Sequence, residues 1–129
     1  MTHSAGPGRS ERLQGRRAED AAVAWLIRDG WQIVGRNVRL GHLELDVLAR
    51  QGDVLAIVEV RFRGPASWLG ALDSVDSRKR EHLRAAARRL WAERLHHDES
   101  IRVVRFDVIV VGFDAQGAAD VERIAAAFQ

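Results

Sequence analysis

The sequence predicts an α/β fold: one domain of three layers, with helices on both sides of a mixed central sheet. Three observations point there. Apolar residues recur with helical spacing near the start, with strand spacing through the next third, and then with helical and strand spacing in turn. With 129 residues and 47% apolar content, the chain can bury a single core. No internal repeat or second linker divides it, so residues 11–129 are expected to form the domain and residues 1–10, "MTHSAGPGRS", a disordered tail.

The first helix is expected from about Glu11 to Asp29. Leu13, Ala18, Ala21, Ala22, Trp25 and Leu26 recur at spacings of three and four, and Gly30 supplies a stop. "WQIVGRNVR" reads as a strand. Two further strands, about Leu43–Ala49 and Val54–Phe62, flank "RQGD", whose glycine marks a hairpin turn. "GPASWLGALDS", residues 64–74, is a loop, with Asp73 or Ser74 as N-cap of a second helix running from about Val75 to Leu95. "IRVVRFDVIVVGF" is a buried strand. The tail from Gly117, with "DVERIAAAF", fits a strand, a helix, or one after the other.

Composition narrows the chemistry. Without cysteine there is no disulfide framework and no thiolate metal site. No apolar run reaches the roughly 18 residues of a membrane helix, and the N-terminus lacks a hydrophobic signal segment, so a cytoplasmic protein is expected. Net charge is only +2, yet nearly every base is arginine and Lys79 is the only lysine. Arginine stays charged and offers a planar fork suited to phosphate.

The hairpin "LELDVLARQGDVLAIVEVRFR", residues 43–63, places acids inside strands. Alternation puts Glu44, Asp46 and Leu48 on one face of the first strand, and Leu55, Ile57, Glu59, Arg61 and Arg63 on one face of the second. If Gly52 and Asp53 are the two turn residues, opposed pairs sum to 105. Asp46 then faces Glu59, and Glu44 faces Arg61. Two carboxylates about 5 Å apart repel by roughly 3 kcal/mol at an effective dielectric near 20. Relief comes from a proton, an arginine or a shared divalent cation. Oxygen-only ligands favour Mg²⁺ or Mn²⁺. Asp, a hairpin's length of residues, then Glu-x-base is an arrangement that metal-dependent nucleases use. A structural cluster with Arg61 and Arg63 as counter-ions explains the same residues.

From about Gly15 to Phe128 the chain resembles the YraN-like family of small bacterial proteins, which belongs to the restriction-endonuclease-like, PD-(D/E)XK nuclease superfamily and is akin to archaeal Holliday-junction resolvases. "GRRAEDAAVAWLIRDGWQIVGRNVR" is similar to the family's first helix and strand, with Glu19 on its helical glutamate. "LELDVLA" matches its glycine-glutamate-isoleucine-aspartate segment at Glu44 and Asp46, with Leu43 in place of the glycine. "VEVRFR" matches its glutamate-valine-lysine signature at Glu59 and Val60, and Lys79 and "RFDVIVV" match its later helix lysine and strand. The resemblance implies a restriction-endonuclease-like fold. It also implies Asp46, Glu59 and Glu19 as ligands of Mg²⁺ or Mn²⁺, with Glu44 completing or orienting the site.

Where the signature has lysine, this chain has Arg61. Arginine cannot usefully give up a proton but can stabilise phosphate charge. Lys79 lies on the apolar stripe of the second helix (Val75, Lys79, Leu83, Ala86, Leu90), from which its amine could reach the sheet and compensate.

Arg80, Arg84 and Arg88 form one row on that helix, with Arg78, Arg89 and Arg94 nearby. Such a row is either a solvent face or a phosphate-binding one. Arg63, Lys79, Arg80, Arg84 and Trp68 are the candidate nucleic-acid contacts, with Trp68 either stacking on a base or anchoring the core. His42 and "HHDE", residues 96–99, read as strand-edge and loop residues. Three functions fit: a metal-dependent endonuclease on DNA, with branched DNA and a homodimer to match its symmetry; a binding module that lost hydrolysis with the lysine; or an interaction protein with a neutralised acidic cluster.

Overall fold

Two glycine turns organise the sheet in the computed structural model, which describes residues 9–63 and 77–128. The elements are α1 (Arg9–Arg28), β1 (Gln32–Leu40), β2 (Leu43–Gln51), β3 (Val54–Phe62), α2 (Ser77–Leu90), β4 (Val103–Phe113) and β5 (Ala119–Phe128). One π-helical turn, Trp91–Leu95, extends α2. Gly41, at φ 68°, and Gly52, at φ 62°, occupy the first positions of two-residue turns closed by Leu40–Leu43 and Gln51–Val54. Positive φ at the first position alone is the II′ pattern, whose twist matches the strands it joins. Asp53 closes the second turn, as expected.

The strands lie in the order β1-β2-β3-β4-β5. All neighbours are antiparallel except β3 and β4, which run parallel and are joined through α2. The sheet is therefore mixed, as expected, with a helix on each face. The tail resolves as strand β5, antiparallel to β4. α1 begins at Arg9, inside the segment expected to be tail, while the loop at 64–74 and its N-cap candidates lie outside the described residues.

Each helix seals one face. Ala18, Ala22 and Leu26 of α1 pack on Val47, Ala49, Ala56, Val58, Ile109 and Val111. The small alanines let α1 approach closely. Leu83, Ala86 and Leu90 of α2 pack on Leu45, Leu48, Leu55, Ile57, Val108 and Val110. β3 sits between them, and Leu55 to Glu59 are all buried. A strand covered on both faces reads as a continuous apolar run, and Glu59 is the charged residue placed in it. Among the described residues, no helix is long and apolar enough to cross a membrane.

Candidate active site

Strict alternation fails where β1 and β2 bend together. Leu45 and Leu48 pack under α2, but Val47 packs under α1. Glu44 and Asp46 line a hollow beside Ala18 and Glu19 of α1. Asp46 and Val47 thus lie on the same side, so alternation is interrupted here although the β1–β2 register is not shifted. The partner strand breaks at the same level: between the pairs Arg36–Val47 and Val38–Leu45 sits Asn37, at φ 49°. Asparagine tolerates that left-handed backbone better than most residues.

The bend corrects one expectation. The β2–β3 ladder follows the predicted register from Gln51–Val54 to Val47–Val58. The register is not continued to Asp46–Glu59 or Glu44–Arg61, and Leu48 does not share the face of Glu44 and Asp46. Instead the Val60 N–H donates to Asp46 Oδ2 at 2.9 Å. Glu44 faces Arg39 of β1, with their charged atoms 3.7 Å apart. The carboxylate of Asp46 takes the place of a ladder partner.

The two acids still meet. Burial pushes the Asp46 carboxyl up to about 6, and the nearby charge of Glu59 and hydrogen bonding with it push the same way. The Val60 N–H and Lys79 pull in the other direction. Glu59 is itself buried, with its side chain 6% exposed. Arg61 Nη2 lies 3.1 Å from Glu59 Oε2, and Lys79 Nζ lies 3.6 Å from the same oxygen. The apolar stripe of α2 therefore carries its lysine to the acid pair. Two carboxyls and two cations share one gap at the end of the β2–β3 ladder.

Glu19 reaches the same hollow by another route. Its Oε1 accepts from Arg36 Nε at 3.3 Å, Arg36 Nη2 at 3.1 Å and Asn37 Nδ2 at 2.9 Å. Arg36 also donates to Asp20 at 2.7 Å. The hollow, about 490 Å³, is lined by Gly15, Arg16, Glu19, Asn37, Glu44 and Asp46 among others. Among the described residues, no three acids or histidines are grouped closely enough to hold one ion. A set of Asp46 and Glu59 alone nevertheless fits Mg²⁺, which commonly uses one or two carboxylates together with water and substrate phosphate. The proton that burial and Glu59 favour on Asp46 marks where positive charge is wanted.

The remaining candidates separate. Arg63 donates to Asp120 of β5 at 2.6 Å, an ion pair away from the acid pair. Arg80 and Arg84 stand on α2, with Arg84 3.6 Å from Glu81. Trp68 lies outside the described residues. His42 is exposed at its turn. Asp98 binds Ser100 and Arg50, so the "HHDE" segment is tethered to β2 rather than gathered around an ion. Sequence reasoning missed the Arg36–Asn37 clamp on Glu19, whose only signal is the asparagine inside a strand. It also missed Asp107, a fully buried acid of β4 paired with Arg105 and Arg123.

Comparison with known sequences points to one family. The profile of the uncharacterised protein family UPF0102 matches residues 18–111. A UPF0102 protein of Sorangium cellulosum is 50% identical over 119 residues, covering 92% of this chain and 83% of its own. One of a Parafrankia species is 40% identical, covering 92% and 98%. One of Pseudomonas paraeruginosa is 38% identical over 102 residues, covering 79% and 80%. Among solved structures, that of Pyrococcus furiosus SfsA in complex with Ca²⁺ superposes with a TM-score of 0.37 and 14% identity, over 87% of this chain and 62% of that one.

Proposed function

Since the chain belongs to the uncharacterised, YraN-like protein family UPF0102, we propose that it is a metal-dependent endonuclease-like protein that hydrolyses phosphodiesters in nucleic acid, with branched DNA as its substrate. One observation carries the reading. An acid pair, half-buried Asp46 and buried Glu59, has Asp46 pushed up to about 6 and Lys79 Nζ 3.6 Å from Glu59. Burying acids together costs stability, and such costs concentrate at functional sites.

Asp46 and Glu59 would hold Mg²⁺ or Mn²⁺. When bound, the ion supplies a more acidic water and positive charge against the phosphate. The Val60 N–H fixes the orientation of Asp46 through its hydrogen bond. Lys79 and Arg61 offer donors to the phosphate oxygens as negative charge grows there. Glu19 is held by Arg36 and Asn37, so it orients the hollow around the acids rather than acting as a free ligand.

A non-hydrolytic binding module is favoured by a single feature, the 3.1 Å pair between Arg61 and Glu59, which already supplies a counter-charge. Nicking of a labelled four-way junction in Mn²⁺ separates the two, with Asp46→Asn as the blank. The wild type is expected to cut above the blank. Lys79→Gln should cut about a hundredfold more slowly, the order of loss when one preorganised electrostatic group is removed. Arg61→Lys is expected to hold or raise the rate. Equal silence from the wild type and Arg61→Lys would leave the binding module.

A further inference from the structure

A second feature of α2 extends beyond the acid pair. The helix and its π-helical turn, Ser77–Leu95, carry seven bases and two acids, a net charge of +5, while the whole chain carries +2. The rest of the protein is therefore net negative, at −3. Within this basic element, Arg84, Ala87, Arg88 and Trp91 follow the spacing i, i+3, i+4, i+7 and share one face. With Val104 and Phe106 of β4 they line an open groove of about 590 Å³. Trp91 is 44% exposed there, so its indole is open to a ligand in the groove.

We propose that this groove receives an unpaired nucleotide of a nucleic-acid substrate, its base stacking on Trp91 and its phosphates meeting Arg84 and Arg88. Charge complementarity selects the occupant: an apolar floor with an exposed indole, bordered by arginines on the most basic element of the fold. A base inside a duplex has both faces covered by its stacked neighbours, whereas an unpaired one can turn out and offer a face to the indole. Arg88 lies 3.4 Å from Glu81 in an exposed pair that exchanges for phosphate at little cost, and half-buried Arg84 lies 3.6 Å from the same glutamate. Arg80 belongs to the same row. The row starts one residue from Lys79 and reaches Trp91 about 18 Å along the helix, the rise of twelve residues. An unpaired strand in the groove would thus leave the flanking nucleic acid near Asp46 and Glu59.

The inference rests on the nucleic-acid reading of the acid pair, but it can fail separately. Anisotropy of a labelled single-stranded 20-mer and of a fully paired 20-base-pair duplex, with the full chain in EDTA, tests it. Trp91→Ala should weaken single-strand binding about tenfold and change duplex binding less than twofold, while Trp91→Phe retains most of the affinity. Arg88→Ala, on an exposed side chain, should reduce the salt dependence of single-strand binding by about one phosphate contact. Equal loss on both substrates, or none, overturns the proposal and leaves the nicking result standing. So does a concentration-dependent dimer that Trp91→Ala dissolves in sedimentation, which would make a second copy the occupant. No binding of either substrate by the wild type overturns the groove and weakens the reading beneath it.

Discussion

Asp46→Asn is expected to make the metal-free protein more stable while abolishing its response to manganese and its nicking. The carboxyl of Asp46 ordinarily titrates at 3.8 and is pushed up to about 6 by burial and by Glu59. An acid whose folded value is raised favours the folded state while protonated and penalises it once ionised. The penalty is therefore absent below about pH 4, grows between 4 and 6, and is fully present above 6. At about two units of difference it has a ceiling near 3 kcal/mol. Asparagine carries no charge at any pH and keeps an oxygen for the Val60 N–H. Melting curves at pH 8 should place the variant several degrees above the wild type, and the gap should close by pH 4. Mn²⁺ should raise the wild-type melting temperature at pH 8, raise it less at pH 5 where protons compete for Asp46, and leave the variant unmoved. A variant less stable than the wild type at pH 8 would show that Asp46 is a structural anchor, and the case for a metal site would lose its support.

The parts of this site that could be read in the sequence are those governed by local rules. Gly52 and Asp53 announced the turn, and the turn fixed the register as far as Val47–Val58. Beyond that point alternation stops being a guide, because it assumes an unbroken ladder. Asn37 adopts a left-handed backbone that asparagine permits but does not require, and Asp46 exchanges a ladder position for a hydrogen bond to Val60. Lys79 could be placed on the apolar stripe of α2, but its approach to Glu59 depends on how that helix packs on the sheet. "DVERIAAAF" illustrates the same limit: its alanines fit either period, and pairing with β4 decides for the strand. The groove at Trp91 joins a helix face to two residues of a distant strand, a juxtaposition no single segment contains.

Asp107→Ala is expected to move stability the other way, with a loss of about 3 kcal/mol. Asp107 has no exposed side-chain surface, and its Oδ2 lies 3.0 Å from Arg105 Nη2 and 3.8 Å from Arg123 Nη1. The guanidinium of Arg105 stands 5.3 Å from the Trp31 ring centre, and that of Arg123 stands 5.6 Å from Trp25 and 5.8 Å from Trp31. The acid thus ties β4 and β5 to the layer beneath α1. Removing it strands two cations, and breaking a buried pair from one side costs roughly 3–5 kcal/mol. The lower figure applies because the arginines keep 28% and 23% of their side-chain surface and can recover some water. Urea midpoints measure the loss directly. Replacing all three together, Asp107→Leu with Arg105→Met and Arg123→Met, should recover much of it, because no charge is then left unmatched. The two aspartates are thereby distinguished by their surroundings: Asp107 is fully buried among cations and holds the fold, whereas half-buried Asp46 lies against another acid and is expected to strain it. Opposite signs in the two substitutions are the signature expected of one structural and one functional carboxylate. If both variants lost stability equally, the acid pair would be a second structural cluster.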